Sequence, residues 1–374
     1  MAKIAVAMSG GVDSSVAAAL LQREGHELLG FTMRLGSSQA GWEATKACCG
    51  LSELHDARRV ADVLGIPHYV VNHADAFWRD VVEDFLDEYA AGRTPNPCIR
   101  CNQHIKFDLF LQQARALGCE AIATGHYARL EQGDDGGWRL RRGVDPAKDQ
   151  SYVLHTLTPE QMAATRLPLG GLTKPEVRAL AAEFGLPTAS KHESQDICFV
   201  SGSYGAFVAA HRPEAAQPGP IVDAAGRTLG SHRGLVHYTI GQRKGLGLAG
   251  SESWFVVELD AARNTLVVAR AEEALRSRFE VRLVAPASQP VSAAGQAIIG
   301  QEADGTQGGE LYGLVQVRYR MQGMPCRVAL GDGVAAITLD QSLRGIAPGQ
   351  SAVVYDDEGY VLLGGTIERV LAEQ

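Results

Sequence analysis

Several features that would give a chain an easy explanation are missing from these 374 residues. No secretory leader is expected: Met1-Ala2-Lys3 runs into a short apolar strand, and Ser9-Gly10-Gly11 ends it before a leader's hydrophobic region can form. No membrane span is expected either, because the charge-free run from Leu283 to Gln301 is broken by Pro286, Gln289, Pro290 and Gln296 and reads as a linker. Seven cysteines, an odd number in a chain too long to need staples, argue against a disulfide framework. These absences point to a cytoplasmic protein with reduced thiols. Positive charge is short as well: a net charge of −8 argues mildly against a polyanionic partner, although a local basic patch overrides an average. No internal repeat is visible.

What is present is the balance of a folded protein, 45% apolar and 21% charged, with length for two or three domains at about 100–200 residues each. From Lys3 to about Phe199, strand and helix patterns alternate. "KIAVAM", "HELLGFTM", "PHYVVN" and "EAIATG" read as buried strands, each too continuously apolar to be half exposed. Ala57, Val60, Ala61 and Leu64 make a helical stripe between them, as do Phe107, Phe110, Leu111 and Ala114. Alternation of this kind predicts an α/β domain with a parallel sheet and helices on both faces, its ligand beyond the carboxyl ends of the strands. Pro213, Pro218, Gly219 and Pro220 then mark a boundary, a small Gly-rich unit follows, and the last stretch alternates as a small all-β barrel or sandwich. The expected domains are 1–204, 205–284 and 285–374.

The first loop carries the sharpest signal. In "AVAMSGGVDSSVAAALL" a strand breaks at Gly10-Gly11 and a helix resumes with Asp13, Ser14 and Ser15 at its mouth. Orphan N–H groups and the helix dipole favour a phosphate there, glycines let the backbone approach, and Asp13 could orient Mg2+ or cap the helix. No GxxxxGK[ST] string and no loop lysine are present, so this is not a Walker A loop. S-G-G-V-D-S-S after a first strand instead resembles the signature of the PP-loop ATP pyrophosphatases. That resemblance implies activation of a carbonyl oxygen by transfer of AMP from ATP, with a nitrogen or sulfur nucleophile to follow.

The cysteines bear on which nucleophile. Cys119 and Cys326 sit in apolar surroundings and read as core. "RTPNPCIRCNQHIKF" is read as placing Cys101 just before a helix, where a thiol's pKa falls, and "KHESQDICF" places Cys198 after a polar run. At these residues the chain resembles the tRNA-specific 2-thiouridylases. The matching strings are "SGGVDSS", "HDARRVADVLGIP", "RTPNPCIRCN" leading into "IKF", "ATGHYAR", "KDQSYVL", "ESQDICF", "GLVHYTIGQRKGLG", "VRYR" and "APGQSAV", in order from Ser9 to Val353.

The resemblance implies a PP-loop domain followed by a small central domain and a C-terminal β-barrel. It implies that Ala7, Met8, Ser9, Gly10, Gly11, Val12, Asp13 and Ser14, with Met33 and Gly125, hold ATP with Mg2+. Cys198 is expected to carry sulfur as a persulfide, supplied by a cysteine desulfurase or a sulfur-relay protein. Cys101 is expected to be the nucleophile that frees it, leaving a Cys101–Cys198 disulfide for a cellular reductant. Asn96, Pro97 and Cys98 are expected to frame a flipped wobble uridine. His126, Lys148, Asp149, Gln150, Arg243, Lys244, Arg318, Tyr319 and Gln350 are expected to contact tRNA, basic residues beside an aromatic suiting phosphate contact plus stacking. His232 and Arg233 directly precede "GLVHYTIGQRKGLG", His237 lies within it, and Arg320 ends "VRYR". A monomer is expected.

One departure opens an alternative. The family resemblance leads one to expect an acidic residue at the Cys98 position, whereas this chain has Cys98-Ile-Arg-Cys101. With Cys198 that makes three thiolates, enough for a [4Fe–4S] cluster with one open iron, and CxxC is also half of many zinc sites. Cys48 and Cys49 match the family without a role that can be derived. Two rivals remain: a nitrogen-transferring PP-loop synthetase, for which no N-terminal cysteine or glutaminase-like extension is seen, and an RNA-binding protein with a decayed loop, against which the intact Ser9, Gly10, Gly11, Asp13 and Ser14 speak.

Overall fold

The computed structural model describes residues 1–36, 51–191, 197–200, 202–248, 253–284 and 310–372. Contacts divide the chain into two compact units: Met1–Val82 with Pro97–Ser201 and Gly359–Val361, and Glu83–Asn96 with Gly202–Glu358 and Leu362–Gln374. Among the described residues no helix is long and apolar enough to cross a membrane.

The first unit is built on a parallel sheet. Its strands are β1 (Lys3–Ala7), β2 (Glu27–Arg34), β3 (His68–Asn72) and β4 (Ala121–Ala123), and after the hairpin β5 (Ala128–Gln132) and β6 (Trp138–Arg142) comes β7 (Thr165–Arg166). The order is β3-β2-β1-β4-β7, with every pair parallel. The expected α/β architecture is the observed one. On one face Ile4 and Val6 pack with helix α1 (Val12–Arg23), helix α2 (Leu51–Leu64) and the helix Lys174–Glu183 through Val16, Val60, Ala61, Val177 and Ala181. On another side of the sheet Phe31 meets the edge of Phe110 at 5.5 Å between ring centres. Phe107, Phe110, Leu111 and Ala114 are all buried, as their spacing predicts. Each full burial of such an aromatic contributes about 1.5–3 kcal/mol.

β3 departs from expectation. Tyr69 and Val70 are 49% and 45% exposed, not buried. The reason is position: β3 is an edge strand, paired with β2 alone in the sheet order, so no strand among the described residues lies on its other side. Continuous apolar character reports that a strand is suited to burial and does not report its rank in the sheet.

The second unit holds two β-structures. A four-stranded sheet of β8 (Gly219–Asp223), β9 (Thr228–His232), β10 (Phe255–Asp260) and β11 (Thr265–Ala269) is ordered β10-β11-β8-β9 around Ile221, Leu235, Val256, Leu266 and Val268. The C-terminal strands close into a barrel, β12-β15-β14-β13-β16-β17, made of Arg276–Leu283, Glu310–Gln316, Met324–Leu330, Val334–Leu343, Ser351–Tyr355 and Val361–Val370, numbered in chain order. β17 pairs with β12 to complete the ring, which removes the edges that an open sheet would expose. Phe279, Val281, Val328, Ile337, Val354 and Ile367 fill the barrel. The segment Glu83–Asn96 also belongs to this unit, where the Phe85 ring lies tilted against Tyr89 and meets Tyr204 and Phe207.

Cys119 and Cys326 are core residues, 4% and 2% exposed. Burial, reinforced by Asp340, pushes the Cys326 thiol up to about 12. At pH 8 it is therefore protonated and covered. Iodoacetamide at pH 8 is expected to leave Cys326 unmodified in the native protein and to modify it in guanidinium, as read by peptide mass; native modification would contradict the barrel packing.

Candidate active site

The loop after β1 is shaped by what glycine lacks. Gly10 has φ +70°, and a Cβ on it would run into the carbonyl oxygen of Glu53 at the start of α2. Gly125, at the end of β4, approaches the same loop from the other strand: a Cβ there would lie 2.7 Å from Ser14 N and 2.8 Å from the carbonyl carbon of Asp13. Gly11 is the N-cap of α1 with no side-chain cap, so the helix presents its first N–H groups undressed by a side chain. Ser14 Oγ accepts from Ser9 N at 3.2 Å and bonds the Gly11 carbonyl at 3.2 Å, while Ser15 Oγ donates to the same carbonyl at 2.8 Å. The serines thus tie the loop to itself. Met8 is buried beneath it, and Met33 lies partly exposed on β2.

Asp13 is held by two residues that the sequence did not single out. Tyr127 Oη donates to Asp13 Oδ1 at 2.6 Å, and Lys174 Nζ donates to the same oxygen at 2.6 Å. Tyr127 is buried, and the Lys174 side chain is 10% exposed. A usable signal existed. Lys174 opens a helix behind a Thr173-Lys174-Pro175-Glu176 capping string, where the helix dipole disfavours a cation, so a buried lysine there calls for an anion nearby.

The "KDQSYVL" string joins this end to the cysteine helix. Gln150 and Tyr127 bond each other twice, Tyr127 N to Gln150 Oε1 at 3.0 Å and Gln150 N to Tyr127 O at 2.8 Å. Asp149 accepts from Arg142, Ser151 and the Gly143 N–H, which leaves its carboxylate committed to the fold. Lys148 is partly exposed. Three residues on, the Val153 carbonyl accepts from Asn102 Nδ2 at 2.9 Å, and Asn102 is the neighbour of Cys101.

The start of the cysteine helix needs correction. The chain turns helical at Pro97, and Pro97–Arg100 runs on through a wide π-type segment, Cys101–Leu109, into Phe110–Ala116. Cys101 is therefore inside the helical run and not just before it, because proline is favoured at a first helical position, where its missing N–H is an orphan anyway. Cys101 is buried, Cys98 exposed and Cys198 partly exposed. Phe199, beside Cys198, meets the edge of Phe77 at 5.7 Å, and the helix Ala74–Phe77 packs on the Cys101–Leu109 segment. The helix Ala74–Phe77 thus touches both the segment that carries Cys101 and the neighbour of Cys198. His126 is buried, bonds Thr124 Oγ1 at 2.6 Å and faces Phe107. Burial, with Lys106 adding to it, holds its pKa well below the usual imidazole range, so it is neutral near pH 7.

Fit to a metal differs between the two candidates. Among the described residues no three His, Cys, Asp or Glu side chains come together to hold a metal ion, so Cys98, Cys101 and Cys198 do not fit a three-thiolate [4Fe–4S] site, and zinc has no ligand set here either. Mg2+ needs less, commonly one or two carboxylates plus substrate phosphates, and Asp13 fits it through Oδ2, which bonds nothing among the described residues. Cys48, Cys49 and Glu193 to Asp196 lie outside the described residues.

In the second unit the two basic strings meet. Arg243, Lys244 and Arg318 are exposed. A Cβ on Gly241 would lie 2.9 Å from Gly345 Cα, and a Cβ on Gly345 would lie 3.6 Å from both Arg318 Nη1 and the Ile240 carbonyl oxygen. This contact brings "YTIGQRKGLG" beside "VRYR". Arg243, Lys244 and Trp254 line a cavity of about 260 Å³, with Arg270 stacked on Trp254 at 3.6 Å, and Arg320 lies over Tyr319 at 5.4 Å. His232 is buried and bonded to backbone on both ring nitrogens. Gln350 donates to the Thr94 carbonyl at 2.8 Å, and Thr94 N donates to Pro348 O at 2.8 Å, so Gln350 anchors the approach to Asn96.

Comparison with known proteins matches the chain in three regions. A tRNA methyl transferase HUP domain model matches residues 2–202, the PRC-barrel domain of the same group matches 205–270, and an aminomethyltransferase β-barrel domain matches 297–367. The tRNA-specific 2-thiouridylase MnmA of Geotalea uraniireducens is 47% identical over 381 residues, covering 99% of this chain and 96% of that protein. The proteins of that name from Geobacter metallireducens (46%, covering 99% and 98%) and Magnetococcus marinus (45%, covering 97% and 98%) are similar to the same extent.

The close approach at Gly125 generates a test. Gly125→Ala is expected to push Asp13 and Ser14 out of place and to weaken ATP binding about tenfold or more, with the circular dichroism spectrum unchanged, since overpacking costs about 1–3 kcal/mol. ATP affinity equal to that of the wild type, measured by calorimetry, would separate the loop from β4.

Proposed function

Because the chain belongs to the tRNA-specific 2-thiouridylase family, matched over almost its full length, we propose that it converts the wobble uridine of a tRNA anticodon to 2-thiouridine, using ATP. The domain descriptions speak of methyl transfer and the full-length relatives of thiolation. A cysteine inside a helix of this unit and a second, partly exposed cysteine whose neighbour packs nearby suit sulfur and favour the second. The observation that carries the reading is the bonded path from Asp13 through Tyr127 and Gln150 to Val153 and Asn102, which links a phosphate loop to the cysteine helix.

In this reading residues 1–204 carry the chemistry, and 205–284 with 285–374 carry tRNA recognition. Ala7 to Ser14, Met33 and Gly125 cradle ATP. Mg2+ on Asp13 would screen the charge of the leaving diphosphate. Uridine O2 attacks the α-phosphorus, diphosphate leaves, and C2 becomes open to substitution. The Cys101 thiolate attacks the inner sulfur of a Cys198 persulfide, forming the Cys101–Cys198 disulfide and expelling the outer sulfur as sulfide. Sulfide adds at C2, and AMP departs with the former O2. A two-electron reductant then reopens the disulfide. Asn96, Pro97, Cys98 and Lys148 meet the anticodon, while His126, Asp149 and Gln150 act by holding the strings that present them, in keeping with their burial or internal bonding. Arg243, Lys244, Arg318 and Tyr319 take the tRNA backbone, with Gln350 behind them. The proposed setting is the cytoplasm, as a monomer served by a cysteine desulfurase or a sulfur-relay protein.

Nucleoside analysis of tRNA incubated with the protein, ATP, Mg2+ and a persulfide donor tests this. Iron-free wild type is expected to form 2-thiouridine, Cys101→Ser and Cys198→Ser none, and Cys98→Ser a modestly reduced amount. An inactive Cys98→Ser beside an iron-dependent wild type would overturn the persulfide route. For the tRNA surface, Arg243→Ala and Arg318→Ala are each expected to weaken binding and lower the slope of log affinity against log salt by about one. Unchanged slopes in filter binding would move that surface elsewhere.

A further inference from the structure

Asp13 receives both of its partners on a single atom. Tyr127 Oη and Lys174 Nζ each stand 2.6 Å from Oδ1, and nothing among the described residues bonds Oδ2. Lys174 is an unfavourable residue for its place. It opens the helix Lys174–Glu183, which packs beside α1, and the amino ends of helices disfavour a cation. With its side chain 10% exposed, its ammonium has little water to fall back on, and the Asp13 carboxylate at 2.6 Å compensates it. A cation already seated on a carboxylate withdraws the charge that a metal ion would use.

We propose that Lys174 is a positioning residue that serves as the internal counter-cation of Asp13, holding the carboxylate in place and keeping a divalent ion from settling there until nucleotide phosphates arrive with it. The proposal rests on the reading of the loop as an ATP site. Mg2+ alone would bring further positive charge to a carboxylate whose charge is already matched, whereas Mg2+ with a triphosphate brings excess negative charge that both cations can share. Tyr127 orients Oδ1 as a neutral donor and adds no charge. Metal binding at Asp13 is thereby conditional on nucleotide, which restrains the loop from holding a metal without its substrate.

The test uses Mn2+ as a paramagnetic stand-in for Mg2+, titrated into the nucleotide-free full-length protein with the unbound ion counted by electron paramagnetic resonance. Lys174→Met is expected to bind Mn2+ about tenfold or more tightly than the wild type. Lys174→Arg, which keeps the charge, is expected to match the wild type, and adding Asp13→Asn to Lys174→Met is expected to remove the gain. Should Lys174→Met melt below the assay temperature, Lys174→Gln carries the same forecast. Wild-type Mn2+ affinity in the neutral variant, or a gain that survives Asp13→Asn, overturns the proposal. A wild type that binds no ATP in calorimetry would overturn the reading of the loop and this proposal with it, and that measurement is independent of Mn2+.

Discussion

The arrangement depends on one carboxylate oxygen. Asp13 Oδ1 gathers a hydroxyl and an ammonium from residues 114 and 161 positions away, so the mouth of α1, the turn after β4 and a distant helix meet at one atom. Lys174 cannot lose this partner lightly, because its ammonium is largely covered and would be left without the carboxylate that faces it. The glycines follow from the same constraint. Gly10 lets the loop lie against α2 and Gly125 lets β4 lie against the loop, so both neighbours press on the segment that Asp13 occupies. From there Tyr127 passes the restraint to Gln150, and the "SYVL" backbone passes it to Asn102 beside Cys101. The loop after β1 and the cysteine helix thus share one bonded frame.

The second unit solves a different problem, that of presenting positive charge on a protein whose net charge is −8. Arg243 and Lys244 come from a loop beyond the four-stranded sheet, and Arg318 comes from the barrel. The contact of Gly241 with Gly345 brings their backbones close enough to make one surface. The same unit holds Thr94 and Arg93 by Gln350, Pro348, Glu88 and Glu368, which ties the segment Glu83–Asn96 to the barrel.

Much of this was legible. β1, β2 and β4 were readable because a strand buried on both faces is apolar at every position, and the loop was readable because Gly-Gly between strand and helix has few other uses. The stripes through Val60 and Phe110 were readable because a helix repeats its buried face locally. What escaped depended on neighbours far along the chain. Tyr69 and Val70 look like core until the sheet order makes β3 an edge. Tyr127 and Lys174 look like ordinary residues until folding brings them to Asp13. His126 and Asp149 sat in matched strings and were expected to face RNA, but burial and the Arg142 pair engage them within the fold. Cys101 was missed more locally, since Pro97 already marked where the helix begins.

In the proposed reaction O2 of the wobble uridine is joined to AMP before sulfur replaces it. A tRNA carrying ¹⁸O at that position, turned over with the protein, ATP, Mg2+ and a persulfide donor, tests it by the mass of the AMP released. The account predicts AMP bearing one ¹⁸O for each 2-thiouridine formed. Unlabelled AMP beside labelled water or diphosphate would contradict it.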